Sequence, residues 1–393
     1  MMRLLGLGIL LAMMLPGPAA ADPLRIALIE DYADAARSAA IQGEEGFRLG
    51  LDYATHGTRA VGGHPLAVTI VQSHGAEDAA SQLAASYRDG KADIAVASGP
   101  SEDVIAMLSV AASSKHILLV ATARADLITG GNRYVFRTAA SAGQQALAEA
   151  LALARPELNL FVAAEDTRDG ADAVAALKTL WGDHGDGGFL IGSRLVPPGT
   201  TDVGTLLSAE FDGLHDLHGG RTLLTIWSSS PPIQSIAATD PGRFGVRLAF
   251  GGDIDPNAPL PQTPIEGITS YFHTMPHNRE NDWLVAAWRR RHRTYPDGAV
   301  ADGMTAALAL VSALRAASTP DADALVASLE GLHFATPKGG MIFRKEDHQA
   351  MQVMYQFRSA PHAPTGAPVL AHEFTIAELA SASPLRSPDR HSP

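Results

Sequence analysis

The sequence predicts an α/β protein of two domains, each built on a doubly wound parallel sheet, and three observations support this. Short apolar runs rich in β-branched residues alternate with alanine-rich stretches of helical spacing. The runs do not alternate apolar with polar residues, which is typical of strands buried on both faces of a parallel sheet. Beyond the N-terminal segment roughly 370 residues remain, and a chain of that length favours two domains over one.

The predicted strands are apolar runs of the length that strands usually have. They lie at Leu24–Ile29, Leu66–Gln72, Ile94–Ala97, Ile117–Ala121, Leu158–Ala163, Phe189–Val196, Leu223–Trp227 and Val246–Phe250. Apolar residues at helical spacing fall between them, as at Phe47, Leu51 and Ala54, and at Leu83 and Tyr87. The repeated order of strand, crossover helix and strand predicts a doubly wound α/β architecture.

Local signals mark where several helices begin. Ser141 and Gln144 form a capping-box pattern, in which each side chain bonds the backbone of the other residue. Ser230 stands before two prolines, and proline is favoured in a first helical turn because its missing N–H would have no partner there. Asn278 precedes a helix that carries Trp283, and the arginines on its outer face favour a solvated surface over an anionic partner.

The strand–helix alternation stops in the last part of the chain. Ala299–Ala317 predicts a long alanine-rich helix, and Asp321–Leu329 predicts a shorter one. The β-like runs Met341–Arg344 and Met351–Phe357, separated by a polar stretch, predict a hairpin. The final stretch is rich in Pro, Ser, Ala and His, and residues 373–393 are expected to be disordered.

The N-terminus has the pattern of a secretory signal peptide. A positive start at Met1–Arg3 is followed by the apolar run Leu4–Leu15, and Ala19–Ala21 supplies the small residues that a signal peptidase recognises. Cleavage is expected before Asp22, so residues 1–21 form the signal. A membrane anchor is the weaker alternative, because the run is shorter than the roughly 20 residues that span a bilayer. No later stretch is expected to span a membrane.

The composition limits which partners the protein can bind and in which compartment it is expected. The net charge of −12 argues against nucleic acid and against an anionic membrane surface as partners. The absence of cysteine excludes disulfides, thiol catalysis, thiolate metal sites and a lipid-modified cysteine. We therefore expect a periplasmic monomer that is not lipid-anchored and binds no nucleic acid.

The motifs of common enzyme classes are missing. No G-x-S-x-G elbow, P-loop or complete G-x-G-x-x-G follows a predicted strand. His215 and His218 are spaced by three residues, but no carboxylate pattern accompanies them, and His273 and His277 flank a proline without other ligands. The sequence therefore predicts no catalytic residues, no metal site and no cofactor.

From Leu24 to about Arg358 the sequence resembles the leucine/isoleucine/valine-type periplasmic substrate-binding proteins of ABC importers. The run Leu127–Thr138, with the sequence LITGGNRYVFRT, is the most specific part of the match. The other matching segments, in the family's order, are Arg25–Leu28, Gly43–Phe47, Ala92–Val96, Leu118–Ala123, Gly251–Asp253, Glu266–Ile268 and Pro337–Phe343.

This resemblance implies the type I periplasmic binding protein fold, with two lobes joined by a three-strand hinge and a ligand in the cleft between them. Lobe 1 would comprise residues 22–140 and 270–335, and lobe 2 residues 141–269 and 336–372. It also implies a transport role, in which a small polar ligand such as an amino acid, an amide or a small carboxylate is captured by hinged closure and delivered to a membrane permease. A ligand sensor on the same fold and an exported hydrolase are the alternatives.

Two loops of lobe 1 are candidates for holding a ligand carboxylate. Parallel sheets bind ligands beyond the carboxyl ends of their strands, where the N–H groups of helix N-termini favour anions. Ser98 and Ser101 follow one strand, and Ala121 and Thr122 follow the next. The family places carboxylate-binding residues on these loops, and the alternative for Thr122 is a helix cap.

The remaining candidates come from the resemblance as well. Asp253 matches the acidic residue that pairs with a ligand ammonium, or it caps the next turn. Trp227 falls at the family's cleft-facing aromatic position, or it belongs to the core. Thr167 and Tyr32 are further candidates.

Two departures from the family pattern leave the ligand open. The first loop, Glu30–Asp34, is unusually acidic. The loop Glu165–Arg168 stands where amino-acid binders often have an aromatic residue, and its Arg168 meets a second ligand carboxylate or pairs with Asp166 or Asp169. A branched-chain amino acid, an amide, a hydroxy acid and an aromatic carboxylate all remain compatible with the sequence.

Overall fold

The computed structural model describes residues 21–34, 36–182, 188–227, 231–359 and 367–382. The strands are β1 (Leu24–Asp31), β2 (Ala60–Val61), β3 (His64–Ser73), β4 (Ile94–Ser98), β5 (Ile117–Val120), β6 (Val135–Arg137), β7 (Leu158–Glu165), β8 (Phe189–Val196), β9 (Gly220–Ile226), β10 (Val246–Gly251), β11 (Ile265–Thr269), β12 (His333–Thr336), β13 (Gly339–Phe343), β14 (Ala350–Met351), β15 (Met354–Ser359) and β16 (Pro368–Phe374). The helices are α1 (Arg37–Ala54), α2 (Ala76–Arg88), α3 (Ser101–Ser114), α4 (Ala142–Leu153), α5 (Arg168–Gly182), α6 (Val203–His215), α7 (Ile233–Ala237), α8 (Arg279–His292), α9 (Gly298–Ala316), α10 (Ala322–Leu329) and α11 (Ile376–Ala382).

The first sheet has six strands in the order β2-β3-β1-β4-β5-β6. All its pairings are parallel except that of β2 with β3, and Leu28 of β1 lies between Ile70 of β3 and Val96 of β4. Side chains on both faces of the central strands are buried, with helices covering each face. This is the arrangement that the uninterrupted apolar runs predict.

The second sheet has seven strands in the order β16-β15-β11-β10-β9-β7-β8. Its five strands from β11 to β8 are parallel, and β15 and β16 add an antiparallel edge. The eight apolar runs that we predicted as buried parallel strands each lie in one of these two sheets, and the doubly wound α/β fold class is confirmed.

The third sheet, β12-β13-β14, shows where the boundaries expected from the resemblance differ from the structure. The resemblance assigns residues 336–353 to lobe 2. In the structure Met341 and Phe343 of β13 share a hydrophobic core with Phe47 of α1, so β13 and β14 belong with lobe 1. The predicted hairpin between Met341–Arg344 and Met351–Phe357 does not form. β13 pairs with the short β14, whereas β15 pairs with β11 in the second sheet.

The C-terminal segment is ordered further than expected. β16 pairs with β15, and Leu379 of α11 packs with Leu147 of α4 and Phe374. Residues 373–382, which we expected to be disordered, therefore extend lobe 2. The remainder of that tail lies outside the described residues, as do Ser230 and nearly all of the predicted signal peptide.

Local helix signals agree with the structure where it describes them. Ser141 and Gln144 form the complete capping box of α4, Asn278 caps α8, and Asp321 caps α10. Each side chain accepts a hydrogen bond from an N–H that has no partner within the helix.

Helices α1 and α9 pack closely because glycines face each other across their contact. A Cβ added to Gly46 would lie 2.2 Å from the carbonyl oxygen of Val300, and one added to Gly303 would lie 2.1 Å from that of Gly43. By length and composition α9 is apolar enough to cross a membrane, contrary to our expectation for the chain beyond residue 21, but 78% of that stretch is buried. This helix forms the centre of the core of lobe 1.

Three crossovers join the lobes: β6 to α4, β11 to α8, and β14 to β15. Arg137, 1% exposed, links two of them, since its Nε donates to Gln349 Oε1 over 2.5 Å and its Nη1 donates to the carbonyl of Ala125 over 2.5 Å. Burial lowers the pKa of Arg137 to about 10. The amides of Gln349 and Gln352 donate to the carbonyls of Ala139 and Thr138.

Candidate functional site

The carboxyl ends of the parallel strands of both sheets lie on the faces through which the two lobes contact each other. Parallel pairing puts the ends of β1, β4 and β5 at one edge of lobe 1, and the ends of β7, β9, β10 and β11 at one edge of lobe 2. The side chains that follow these ends make the contacts between lobes. This is where open α/β sheets bind ligands.

In lobe 1 Thr122 connects the two candidate loops. Its hydroxyl accepts a hydrogen bond from Gly99 N over 2.9 Å and lies 3.3 Å from Gly99 O. Gly99 has a φ of 149°, and a side chain there would crowd Asp31. Thr122 thus fixes the loop after β5 against the loop after β4. Its neighbour Ala121 is 1% exposed and belongs to the core of lobe 1.

Ser98 ends β4 beside Glu30, the next-to-last residue of β1. Glu30 is 1% exposed, and burial raises its pKa well above the usual range, although the Ser98 hydroxyl opposes that rise. Ser98 therefore lies beside a buried carboxyl of its own lobe. Tyr32, beyond the end of β1, donates through N–H to Ser73 O, and its hydroxyl lies 3.5 Å from Glu44 Oε2.

Ser101, a candidate for ligand contact, links the lobes in this structure. It is 1% exposed, and its hydroxyl donates to the carboxylate of Asp169 on α5. The same oxygen accepts hydrogen bonds from the backbone N–H groups of Arg124 and Ala125, at 3.1 and 3.0 Å. The hydroxyl thus positions the loop that carries Arg124.

Two more hydrogen bonds join the same faces of the lobes. Glu102 Oε1 accepts from Arg168 N over 3.0 Å, and Asp172 Oδ2 accepts from Asp126 N over 2.9 Å. With the Ser101–Asp169 contact they form what we call the α3/α5 rim. The side chain of Arg168 pairs with Asp172 at 3.0 Å, an aspartate other than the Asp166 and Asp169 that the sequence suggested.

On the other side of the cleft Asn257 of lobe 2 contacts Tyr295, which precedes α9. Its Nδ2 donates to Tyr295 O over 3.0 Å, and its Oδ1 accepts from Tyr295 N over 2.9 Å. The amide therefore pairs with the backbone as a neighbouring strand would.

Between these rims Arg124 of lobe 1 forms an ion pair with Asp253 of lobe 2. Arg124 Nη2 lies 2.9 Å from Asp253 Oδ2, and the two side chains are 14% and 26% exposed. Asp253 Oδ1 accepts from the hydroxyls of Thr269 and Ser270, each at 3.2 Å. Among the described residues Arg124 is the only cation in ion-pair contact with Asp253.

The charge of Arg124 is stabilised by several carboxylates. Burial alone would lower its pKa, but Asp253, Asp302 and Asp169 act together to raise it. Asp302 forms a separate ion pair with Lys338 at 2.6 Å. Sequence reasoning did not select Arg124, although an arginine within the alanine-rich loop after Thr122 was a signal that could have found it.

Two further candidates have structural partners. Trp227 is 7% exposed and belongs to the core of lobe 2, and its carbonyl leaves no room for a side chain at Gly252. Thr167 Oγ1 accepts a hydrogen bond from Gly170 N over 3.2 Å, which caps the start of α5. Both residues border the cleft edge of lobe 2, and the hydrogen-bonding group of Thr167 is engaged locally.

No group of three or more His, Cys, Asp or Glu side chains that could hold a metal ion occurs within the described part of the chain. His273 stacks on Tyr295 with ring centroids 4.0 Å apart, and burial lowers its pKa to about 4. A neutral ring stacked in this way has a packing role.

Residues 23–363 match the family model described as periplasmic binding protein. A crystal structure described as an ABC-type branched-chain amino acid transporter from Rhodopseudomonas palustris is 35% identical, with 90% of this chain and 97% of that chain covered and a TM-score of 0.77. Among curated proteins, none matches the chain by sequence.

More distant solved structures share the fold. A solute-binding protein from Rhodopseudomonas palustris in complex with 3,4-dihydroxybenzoic acid is 16% identical over 90% of this chain and 98% of that chain, with a TM-score of 0.76. An ABC transporter substrate-binding protein from Sphaerobacter thermophilus is 19% identical over 90% and 98%, with a TM-score of 0.75.

Proteins of the matched family are located in the periplasm, bind small solutes, interact with membrane permeases and are not enzymes. The matched segment spans both lobes and the hinge. The chain therefore belongs to the periplasmic binding proteins of the leucine/isoleucine/valine-binding type, and it is a solute-binding component of an ABC transporter.

Proposed function

We propose that the chain captures a small zwitterion, an amino acid, whose carboxylate binds Arg124 and whose ammonium binds Asp253. The observation that carries this proposal is the ion pair between these side chains, which come from different lobes and meet at the carboxyl ends of both sheets. A ligand that bonds both side chains joins the lobes at the same point. Thr269 and Ser270 orient the carboxylate of Asp253 for this role.

Charge balance favours a zwitterion over a simple ion. A zwitterion inserted between Arg124 and Asp253 leaves both side chains paired. A monocarboxylate would take Arg124 and leave Asp253 without a cation, and a monocation would leave Arg124 unpaired. An unpaired charge in a desolvated site is costly, so these ligands bind at a disadvantage.

The predicted site residues then support Arg124 and Asp253 in different ways. Thr122 and Ala121 form the loop that carries Arg124, and Ser98 and Tyr32 lie beside that loop. Ser101 couples this loop to lobe 2. Trp227 and Thr167 lie at the edge of lobe 2 that faces this loop. The similar protein described as a branched-chain amino acid transporter supports an amino-acid ligand.

Transport follows from ligand-dependent closure. The ligand shifts a hinged equilibrium toward the closed form, which the permease then recognises. We also propose that residues 1–21 direct export and are removed. The mature protein then carries no lipid anchor, because the chain has no cysteine to hold a lipid. In this proposal it diffuses as a monomer and does no chemistry on its ligand.

A binding screen on refolded protein tests this proposal. We expect one or more amino acids to raise the melting temperature, since a ligand at 100 times its Kd adds about 2.7 kcal/mol to the free energy of unfolding. Asp253→Asn should abolish that gain, and Asp255→Asn, an exposed neighbour, should keep it. Stabilisation by benzoate or another aromatic carboxylate, with no response to any amino acid, would exclude the proposal.

The α3/α5 rim should contribute to affinity without touching the ligand. Asp169→Asn replaces a charge-assisted hydrogen bond to Ser101 with a neutral one, and we expect the ligand Kd to rise about fivefold, equivalent to about 1 kcal/mol. Calorimetry measures the affinity, and small-angle scattering measures closure. Asp216→Asn, on an exposed loop, is the control. Equal affinity of the Asp169 variant and the wild type would show that the rim does not limit closure.

A further inference from the structure

Two buried side chains of α4 carry oxygen atoms that lack a hydrogen-bond partner. Gln145 and Glu149 are 2% and 1% exposed and lie one helical turn apart. Gln145 Nε2 donates to Glu149 Oε1 over 2.9 Å and to Ile268 O over 3.2 Å. Gln145 Oε1 and Glu149 Oε2 have no partner among the described residues.

Such atoms are expensive to bury. An unsatisfied buried polar atom costs about 1–3 kcal/mol, and native proteins contain few of them. An apolar side chain at either position would pack against the sheet without that cost. Two neighbouring acceptors therefore point to a molecule that supplies the missing hydrogen bonds.

The two side chains contact the ends of β10 and β11, just before the proposed ligand anchor Asp253 in lobe 2. Gly252 N, next to Asp253, donates to Ile268 O over 3.1 Å. The same carbonyl oxygen accepts the hydrogen bond from Gln145 Nε2. A Cβ added to Gly251 would lie 1.7 Å from Glu149 Oε1. Only glycine at the end of β10 allows the Glu149 carboxyl to reach the cleft edge of the sheet.

The protonation state of Glu149 limits which ligand groups can hydrogen-bond to it. Burial raises its pKa to about 8, against the opposing influence of the Gln145 amide and of the Arg124 charge. At neutral pH the group is therefore mostly uncharged, and it both donates and accepts hydrogen bonds. A hydroxyl or amide group of a ligand also both donates and accepts hydrogen bonds. It can therefore pair with the neutral Glu149 carboxyl and donate to Gln145 Oε1.

Building on the proposed amino-acid capture, we infer that Gln145 and Glu149 form a subsite that selects an amino acid with a hydroxyl or amide side chain over an aliphatic one of the same size. In this arrangement Arg124 and Asp253 hold the groups that all amino acids share. The two α4 side chains then recognise the group that differs among amino acids.

Matched ligands test the inference. Threonine and valine have nearly the same shape, and so do asparagine and leucine, so calorimetry on each pair isolates the hydrogen bonds. We expect the wild type to bind the polar member of at least one pair about tenfold more tightly. Gln145→Met and Glu149→Met should remove this preference while the aliphatic ligand still binds. Glu149→Gln, which keeps hydrogen-bonding atoms, should retain part of it.

The controls separate this inference from the proposed function. Glu77→Met, on an exposed turn of α2, should leave the preference unchanged, and unfolding curves establish that each variant is folded. The subsite would be excluded if valine or leucine bound as tightly as threonine or asparagine. If Asp253→Asn still abolished that binding, the proposed function would stand. If no amino acid binds the wild type, both proposals fail.

Discussion

Replacement of Arg124 by methionine is expected to weaken ligand binding at least about 100-fold, which corresponds to about 3 kcal/mol. The substitution removes the cation that pairs with Asp253 and that we propose for the ligand carboxylate. Asp253 keeps its hydroxyl partners, Thr269 and Ser270, but loses its charge partner in a largely desolvated site. Calorimetry with the best amino acid from the screen measures the loss.

Two variants make this result specific. Arg124→Lys keeps the charge but lacks the planar fork that matches a carboxylate, so an intermediate affinity is expected. Arg290→Met changes an exposed arginine of α8 and should bind as the wild type does. Wild-type affinity in Arg124→Met would show that the ligand carboxylate is held elsewhere.

The second large effect concerns stability. Lys338→Met should lower the free energy of unfolding by about 3–5 kcal/mol, because it leaves Asp302 without its partner in the core. Lys338 Nζ lies 2.6 Å from Asp302 Oδ1, and the side chains are 1% and 8% exposed. Urea unfolding followed by circular dichroism measures the difference.

A double variant and a pH series test the cause. Asp302→Leu combined with Lys338→Met removes both charges and should recover most of the loss. Burial raises the pKa of Asp302, and Lys338 opposes that rise. Without Lys338 the native state binds the proton more tightly than the unfolded chain does, so the deficit should shrink as pH falls. A double variant no more stable than Lys338→Met would exclude the charge explanation.

The fold was largely predictable because its signals are local. Apolar runs identify buried strands wherever both faces of a sheet are covered, and the Ser141–Gln144 capping box needs only four residues to be recognised. The end of lobe 1 was not predictable in this way. β13 and β15 are both short apolar strands, and their sequences do not show that they belong to different sheets.

The site was predictable in part. Position after a strand end located the loops of Thr122 and Asp253 at the cleft edge. The partner of Asp253 is Arg124, 129 residues earlier in the chain, and no local pattern connects the two. Ser101 was selected for its hydroxyl, but whether a hydroxyl is free depends on what the other lobe places beside it, here Asp169.

The buried guanidinium of Arg137 has a kinetic consequence. It holds Gln349 of one connecting segment and the carbonyl of Ala125, the residue directly after Arg124. A bend of this connection would therefore displace Ala125 together with Arg124, the residue that we propose for the ligand carboxylate. We therefore expect a change at Arg137 to alter the dissociation rate of the ligand, and with it the residence time that a transporter must shorten to unload its cargo.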